Sequence, residues 1–213
     1  RRCASSDFQE AHQVGRPMTS TLIQTIAPAS EPVTLSDLKD FCEITHSLKD
    51  MDLTSALAAS RNEFELYTGV ALMSQTWKQT LDSWGTRVIE LERAPLASIS
   101  SVSYYPADGG SAVTVSSSDY RVGLGGFQRF GFVEFLDTFE FPALADRFDA
   151  VSVTFVAGVA SAADMPPSIL RAIKMMARDL FDEKRNVITG TIVAQNPRMQ
   201  RLIDPHKVRG VVA

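Results

Sequence analysis

The chain has 213 residues, 45% of them apolar and 22% charged, with 12 glycines and 10 prolines. These are ordinary values for a folded domain, so extensive disorder, collagen-like repeats and low complexity are excluded. Twenty-one basic against twenty-five acidic side chains give a net charge of −4. That balance argues against nonspecific wrapping of nucleic acid, and no apolar run approaches the ~20 residues that cross a membrane.

Residues 1–17 carry no apolar stretch of the signal-peptide kind, and Met18 is one candidate start of translation. Residues 1–32 therefore read as a leader, disordered or extended. The first helix signal is Thr34-Leu35-Ser36-Asp37, a side-chain cap with an acid three residues on facing the free amides of the first turn. This helix runs to about residue 41 or 43. A polar connection, 46–52, follows, with Asp50 or Asp52 as cap of a longer helix. There Leu53, Leu57, Ser60, Phe64 and Tyr67 fall at spacings of 4, 3, 4 and 3, which is one apolar face of a small helical bundle. Gly69 ends it.

From Leu72 the period changes to 2, with Trp77 on the inner side of the first strand. Short strands follow at 87–91, 98–105, 112–115, 120–122, 131–136 and 151–156, separated by turn residues such as Asp108-Gly109-Gly110 and 123–126. This pattern predicts an antiparallel sheet or small barrel, with Trp77 buried and Trp84, in a turn, more exposed or held by a neighbouring subunit. Pro166-Pro167 opens a last long helix whose stripe is Ile169, Ile173, Met176/Ala177 and Leu180, ending near residue 185.

Residues 186–213 differ. Four bases, Arg198, Arg201, Lys207 and Arg209, face one acid, Asp204, for a charge of +3, which leaves −7 for the rest. Isolated apolar residues, among them Ile192, Met199 and Leu202, alternate with Pro197 and Pro205. The segment reads as an extended arm that docks on a partner. The fold class expected is thus α+β: a helical core (33–71 and 164–185), a β-rich antiparallel insertion (72–163) and a C-terminal arm (186–213). Leu53, Leu57, Phe64, Tyr67, Ile169, Ile173 and Leu180 are the expected helical core.

No catalytic template is met. His12, His46 and His206 stand apart, Cys3 and Cys42 form no CxxC pair, and no metal-ligand spacing is present. Asp50-Met51-Asp52 lacks the glycine and bidentate Glu of a calcium loop. Residues 123–126 are followed by no P-loop helix, and 116–118 by no nucleophile elbow. The chain reads as a binding or assembly protein with no cofactor and no metal.

The order of several fragments is specific as a set. Glu31-Pro32-Val33-Thr34-Leu35-Ser36-Asp37-Leu38-Lys39 opens the first helix and Ala59-Ser60-Arg61-Asn62-Glu63-Phe64-Glu65-Leu66-Tyr67-Thr68-Gly69 closes the second. Gln75-Thr76-Trp77, Leu91-Glu92-Arg93-Ala94-Pro95-Leu96-Ala97-Ser98-Ile99, Ser118-Asp119-Tyr120-Arg121-Val122 and Val153-Thr154-Phe155-Val156-Ala157-Gly158 follow, before Pro166-Pro167 and Ile169-Leu170-Arg171-Ala172-Ile173. Over about residues 31–185 the chain resembles the head–tail connector (adaptor) family of long-tailed phages and phage-derived gene transfer agents. The resemblance implies a non-enzymatic subunit of a ring, usually of twelve copies, in the virion neck below the portal. Such a ring extends the DNA channel, attaches a downstream stopper or tail protein, touches no membrane, and is assembled in the bacterial cytoplasm. On that reading the arm is the portal-docking element, through Ile192, Arg198, Met199, Arg201, Leu202, Lys207 and Arg209. The alternatives are a monomeric α+β ligand-binding module and a different neck or tail-completion protein.

Overall fold

The computed structural model describes residues 19–182 and 197–208. In chain order they form strand β1 (Ser20–Ile26), helices α1 (Leu35–Cys42) and α2 (Asp50–Thr68), strands β2 (Gln75–Leu81), β3 (Val88–Leu91), β4 (Leu96–Tyr104), β5 (Val113–Thr114), β6 (Tyr120–Gly123), β7 (Gly131–Phe135) and β8 (Val151–Ala157), then helices α3 (Pro167–Asp182) and α4 (Pro197–Ile203). The class is α+β.

The α1 cap forms as its sequence dictates: Thr34 Oγ1 accepts from the Asp37 amide at 3.1 Å and donates to Asp37 Oδ2 at 2.7 Å. The α2 start differs. Lys49 stands at the cap position with no side-chain bond, and Asp50 is used instead in an ion pair with Lys39 at 2.7 Å. Gly69, at φ 77°, ends α2 in the left-handed conformation that glycine adopts without strain. α1, α2 and α3 pack on one another around Leu38, Leu53, Leu57, Phe64, Ile169, Ile173 and Met176.

The strands form two antiparallel sheets, β1-β2-β8-β4-β5 and β3-β7-β6. Their facing sides enclose a second core of Leu81, Ile89, Leu91, Val102, Val133, Phe135, Val153 and Phe155. β8 is central and almost wholly buried; Val151, Val153, Phe155 and Ala157 face the core, and Ser152 and Thr154 alternate with them. Just beyond it Gly158 sits at φ 100°, where a Cβ would meet the Met73 carbonyl oxygen at 2.2 Å, so only glycine passes.

Within the leader, expected to be disordered or extended, residues 20–26 form a strand paired from Ser20↔Leu81 to Ile26↔Thr76, with a shift of register between Gln24 and Ile26. Its partner lies some fifty residues away, so no local signal announces it. Tyr67 and Leu180 lie on the expected core stripes but remain 49% and 44% exposed, because each sits in the last turn of its helix. The arm is not extended throughout: residues 197–203 are helical, with Pro197 at the first position, where its missing N–H costs nothing.

Replacing Phe64, fully buried in the helical core, with alanine should cost about 3–5 kcal/mol, read as a lowered urea midpoint. An unchanged midpoint would contradict the core assignment.

Candidate assembly surfaces

No cluster of three or more metal-ligating side chains exists among the described residues, and no described helix is long and apolar enough to cross a membrane.

One junction between the helical layer and the sheets is made by Glu65. This carboxylate is buried in the last turns of α2. Its Oε1 accepts from the Leu72 amide and from Gln75 Nε2, both at 2.8 Å, and Oε2 accepts from Arg61 Nη1 at 2.9 Å. Arg61 also donates to Glu31 Oε2 at 2.8 Å, and Gln24 Nε2 donates to Gln75 Oε1. One chain of hydrogen bonds thus runs from the segment before α1, through α2 and β2, to the edge strand β1. Burial raises the Glu65 pKa despite these donors. None of this was legible in the sequence, where Glu65 is one acid among several on a helix.

The C-terminal segment is closed onto the chain. Ile203 and His206 are buried, and Met199, Leu202 and Val208 pack against the helical core. The Val208 amide donates to the Thr68 carbonyl at 2.8 Å, Tyr67 Oη donates to Asp204 Oδ1 at 2.9 Å, and Lys207 lies 4.8 Å from the centre of the Tyr67 ring. From the β-rich module, Gln128 Nε2 donates to the Pro205 carbonyl at 3.3 Å. His206 Nε2 stands 2.7 Å from Ser168 Oγ, while its Nδ1 is buried without a partner.

Of the residues expected to dock on a portal, Met199 and Leu202 are thus partly used by the subunit's own core. Arg201 and Lys207 are exposed. Arg198 lies in α4, and Ile192 and Arg209 lie outside the described residues. Spacing carried the missed signal, because Met199, Leu202 and Ile203 stand at i, i+3 and i+4.

In the β-rich module Trp84 is not open. Its ring lies 5.3–5.8 Å from those of Tyr104, Phe135, Phe139 and Phe141, and its Nε1 donates to the Pro142 carbonyl at 3.0 Å. Trp77, expected to be buried, is half-buried: it stacks under Arg93 at 4.6 Å, and its Nε1 is buried without a partner.

Two further features belong to the sheets, although Thr80 and Ser152 of the second are buried. β1 is an edge strand of seven residues without charge or proline, an unguarded type of edge. One face of the five-stranded sheet carries a row of hydroxyls in register, Thr21, Thr80, Ser152, Ser103 and Thr114, one from each strand. On the helical side, Leu48 and Met51 stand out at the start of α2, and Leu66 near its end.

No family model matches the sequence, and no curated protein matches it. The fold does recur in solved structures. A chain from the neck of an empty GTA particle, computed with C6 symmetry, superposes with a TM-score of 0.73 at 19% identity, covering 91% of this chain and 98% of that one. A chain from the virion of a native gene transfer agent (GTA) particle gives 0.72 at 19% identity, over 90% and 97%. One from the neck of a native GTA particle, computed with C12 symmetry, gives 0.71 at 19%, over 91% and 98%. The chain therefore has the α+β fold of a component of gene transfer agent particles, over nearly its whole length.

His206 supplies a test of the closed C-terminal segment. Burial lowers its pKa, so the neutral ring is the form that fits. The stabilisation it gives is complete above the ordinary histidine range and is lost as pH falls through the lowered folded value. Amide hydrogen exchange in residues 199–208, corrected for intrinsic rates, should accelerate on acidification through that range while α2 stays protected. Equal protection above and below the acid transition of the His206 ring, followed by its own NMR shift, would show that the imidazole does not hold the segment.

Proposed function

We propose that the chain is a structural subunit of the neck of a phage-like particle, a head–tail connector that forms a ring below the portal and continues the DNA channel toward the tail. The observation that carries this reading is the likeness to neck chains over 91% of this chain and 98% of theirs. A ring of twelve copies satisfies both the C6 and the C12 symmetry under which those necks were computed. Its physical requirements are met by the molecule. Two separate cores locked together at Glu65 make a stiff block, and the surface retains open features of several kinds. A net charge of −4 suits a conduit through which duplex DNA passes without being captured. The function is mechanical, and no cofactor enters it.

The mass of the full chain in solution, alone and with a portal ring from the same particle, tests this. The expected species is a ring whose mass is a multiple of the 23.3 kDa chain, twelve copies in the portal-bound form. A lone subunit that neither associates nor binds the portal would refute the reading.

A further inference from the structure

α2 spans 19 residues, about 28 Å at 1.5 Å per residue, and its two ends are unlike. At the start, Leu48 is 87% and Met51 88% exposed, the two most exposed large apolar side chains among the described residues. Around them and the C-terminal end of α1, Asp40, Glu43, Asp50 and Asp52 stand against Lys39, Lys49 and Arg171, which lies over the Phe41 ring at 4.6 Å; Lys39 and Asp50 pair with each other, as Arg178 and Asp182 do. At the far end Leu66 and Tyr67 are exposed. The C-terminal segment lies there, through the Val208–Thr68 and Tyr67–Asp204 hydrogen bonds, and so does the 128–130 loop, through Gln128 and through Phe130 against Gly69. These bring Arg129, Arg201 and Lys207 to that end, against Asp204 and the exposed Glu63 of α2. One end is apolar with a small acidic excess, the other apolar with a small basic excess.

A closed ring of identical subunits joins two different patches on each copy, and this molecule carries a complementary pair at opposite ends of its longest helix. We propose that the occupant of each patch is a second copy of this chain. Neighbours join head to tail, with the Leu48–Met51 tip of one, flanked by Asp40 and Glu43, seated against Leu66 and Tyr67 of the next, flanked by Arg129 and Arg201. Apolar contact supplies the affinity, and the opposite charges select the orientation and reject tip-to-tip pairing. The inference rests on the ring reading and adds the contact that builds the ring.

Charge exchange tests it on the full chain by sedimentation, with and without the portal ring. Asp40→Lys with Glu43→Lys places bases at the C-terminal end of α1, where the helix dipole tolerates them. Arg129→Glu with Arg201→Glu reverses the other end. Each double variant, and Leu48→Ser with Met51→Ser, should keep the wild-type melting temperature and lose self-association by about tenfold or more, as removal of a central contact does. An equal mixture of the two charge-reversed proteins should regain even-numbered assemblies, because alternating copies then match at every contact.

A mixture that stays monomeric while the wild type assembles would overturn the contact and leave the ring reading standing. A wild type that never assembles would remove both. Normal rings from Arg129→Glu/Arg201→Glu that no longer bind the portal would assign the basic end to the portal and overturn the proposal.

Discussion

The buried carboxylate of Glu65 is the constraint on which the rest of the arrangement depends. A helical layer and a pair of sheets each have their own apolar core, and they are joined at the crossing 70–74 by backbone bonds such as Ala71 N–H to Ala94 O and Val159 N–H to Leu72 O. Glu65 pins that crossing by accepting from the Leu72 backbone, from Gln75 on β2 and from Arg61 one turn back on α2. Gln75 in turn accepts from Gln24 on the edge strand. Taking a carboxylate out of water is costly, and only a full set of donors offsets it. The site therefore tolerates one geometry. Removing the carboxylate with Glu65→Ala would leave Arg61, Gln75 and the Leu72 amide without their acceptor, at a cost of about 3–5 kcal/mol. Because its pKa is raised, the sign of its pH dependence is fixed. Stability relative to Glu65→Gln should be greatest below the ordinary carboxylate range and decline as pH rises through the raised value, measurable as a shift in urea midpoint.

This joint is consistent with the mechanical role proposed above. A subunit that transmits load between a capsid and a tail has to behave as one body, and a specific polar lock does this better than an apolar seam that slides. The sheets contribute stiffness of another kind. The five-ring cluster around Trp84 closes one region of the β-rich module, and the Gln79 side chain clips β3 to the larger sheet, donating to Glu90 O at 3.0 Å and accepting from the Glu92 amide at 3.0 Å.

Much of this was legible in the sequence where the determinants are local. The Thr34–Asp37 cap, Gly69 and Pro167 mark helix ends through their own backbone chemistry. The strand positions followed from period-2 alternation, and the two sheets keep the antiparallel pairing expected of short, turn-linked strands. What was hidden depends on distant partners. β1 reads as a polar leader because its register is set by β2, and Glu65 reads as a surface acid because the groups that bury it come from the chain after the helix. The C-terminal segment misled for a different reason. Pro197 and Pro205 look like breakers, yet each stands at the start of a helical turn, where proline is compatible. Leu48 and Met51 lay within a connection read as polar, and their near-complete exposure became evident only once the surrounding helices were placed.

The place of the molecule in an assembled particle decides the proposed role. Electron cryo-microscopy of particles purified from cells that encode this chain, reconstructed at the neck, is the direct measurement. The account predicts density for this two-core subunit repeated around the channel axis, next to the portal. A neck lacking it, or a lone copy placed away from the axis, would contradict it.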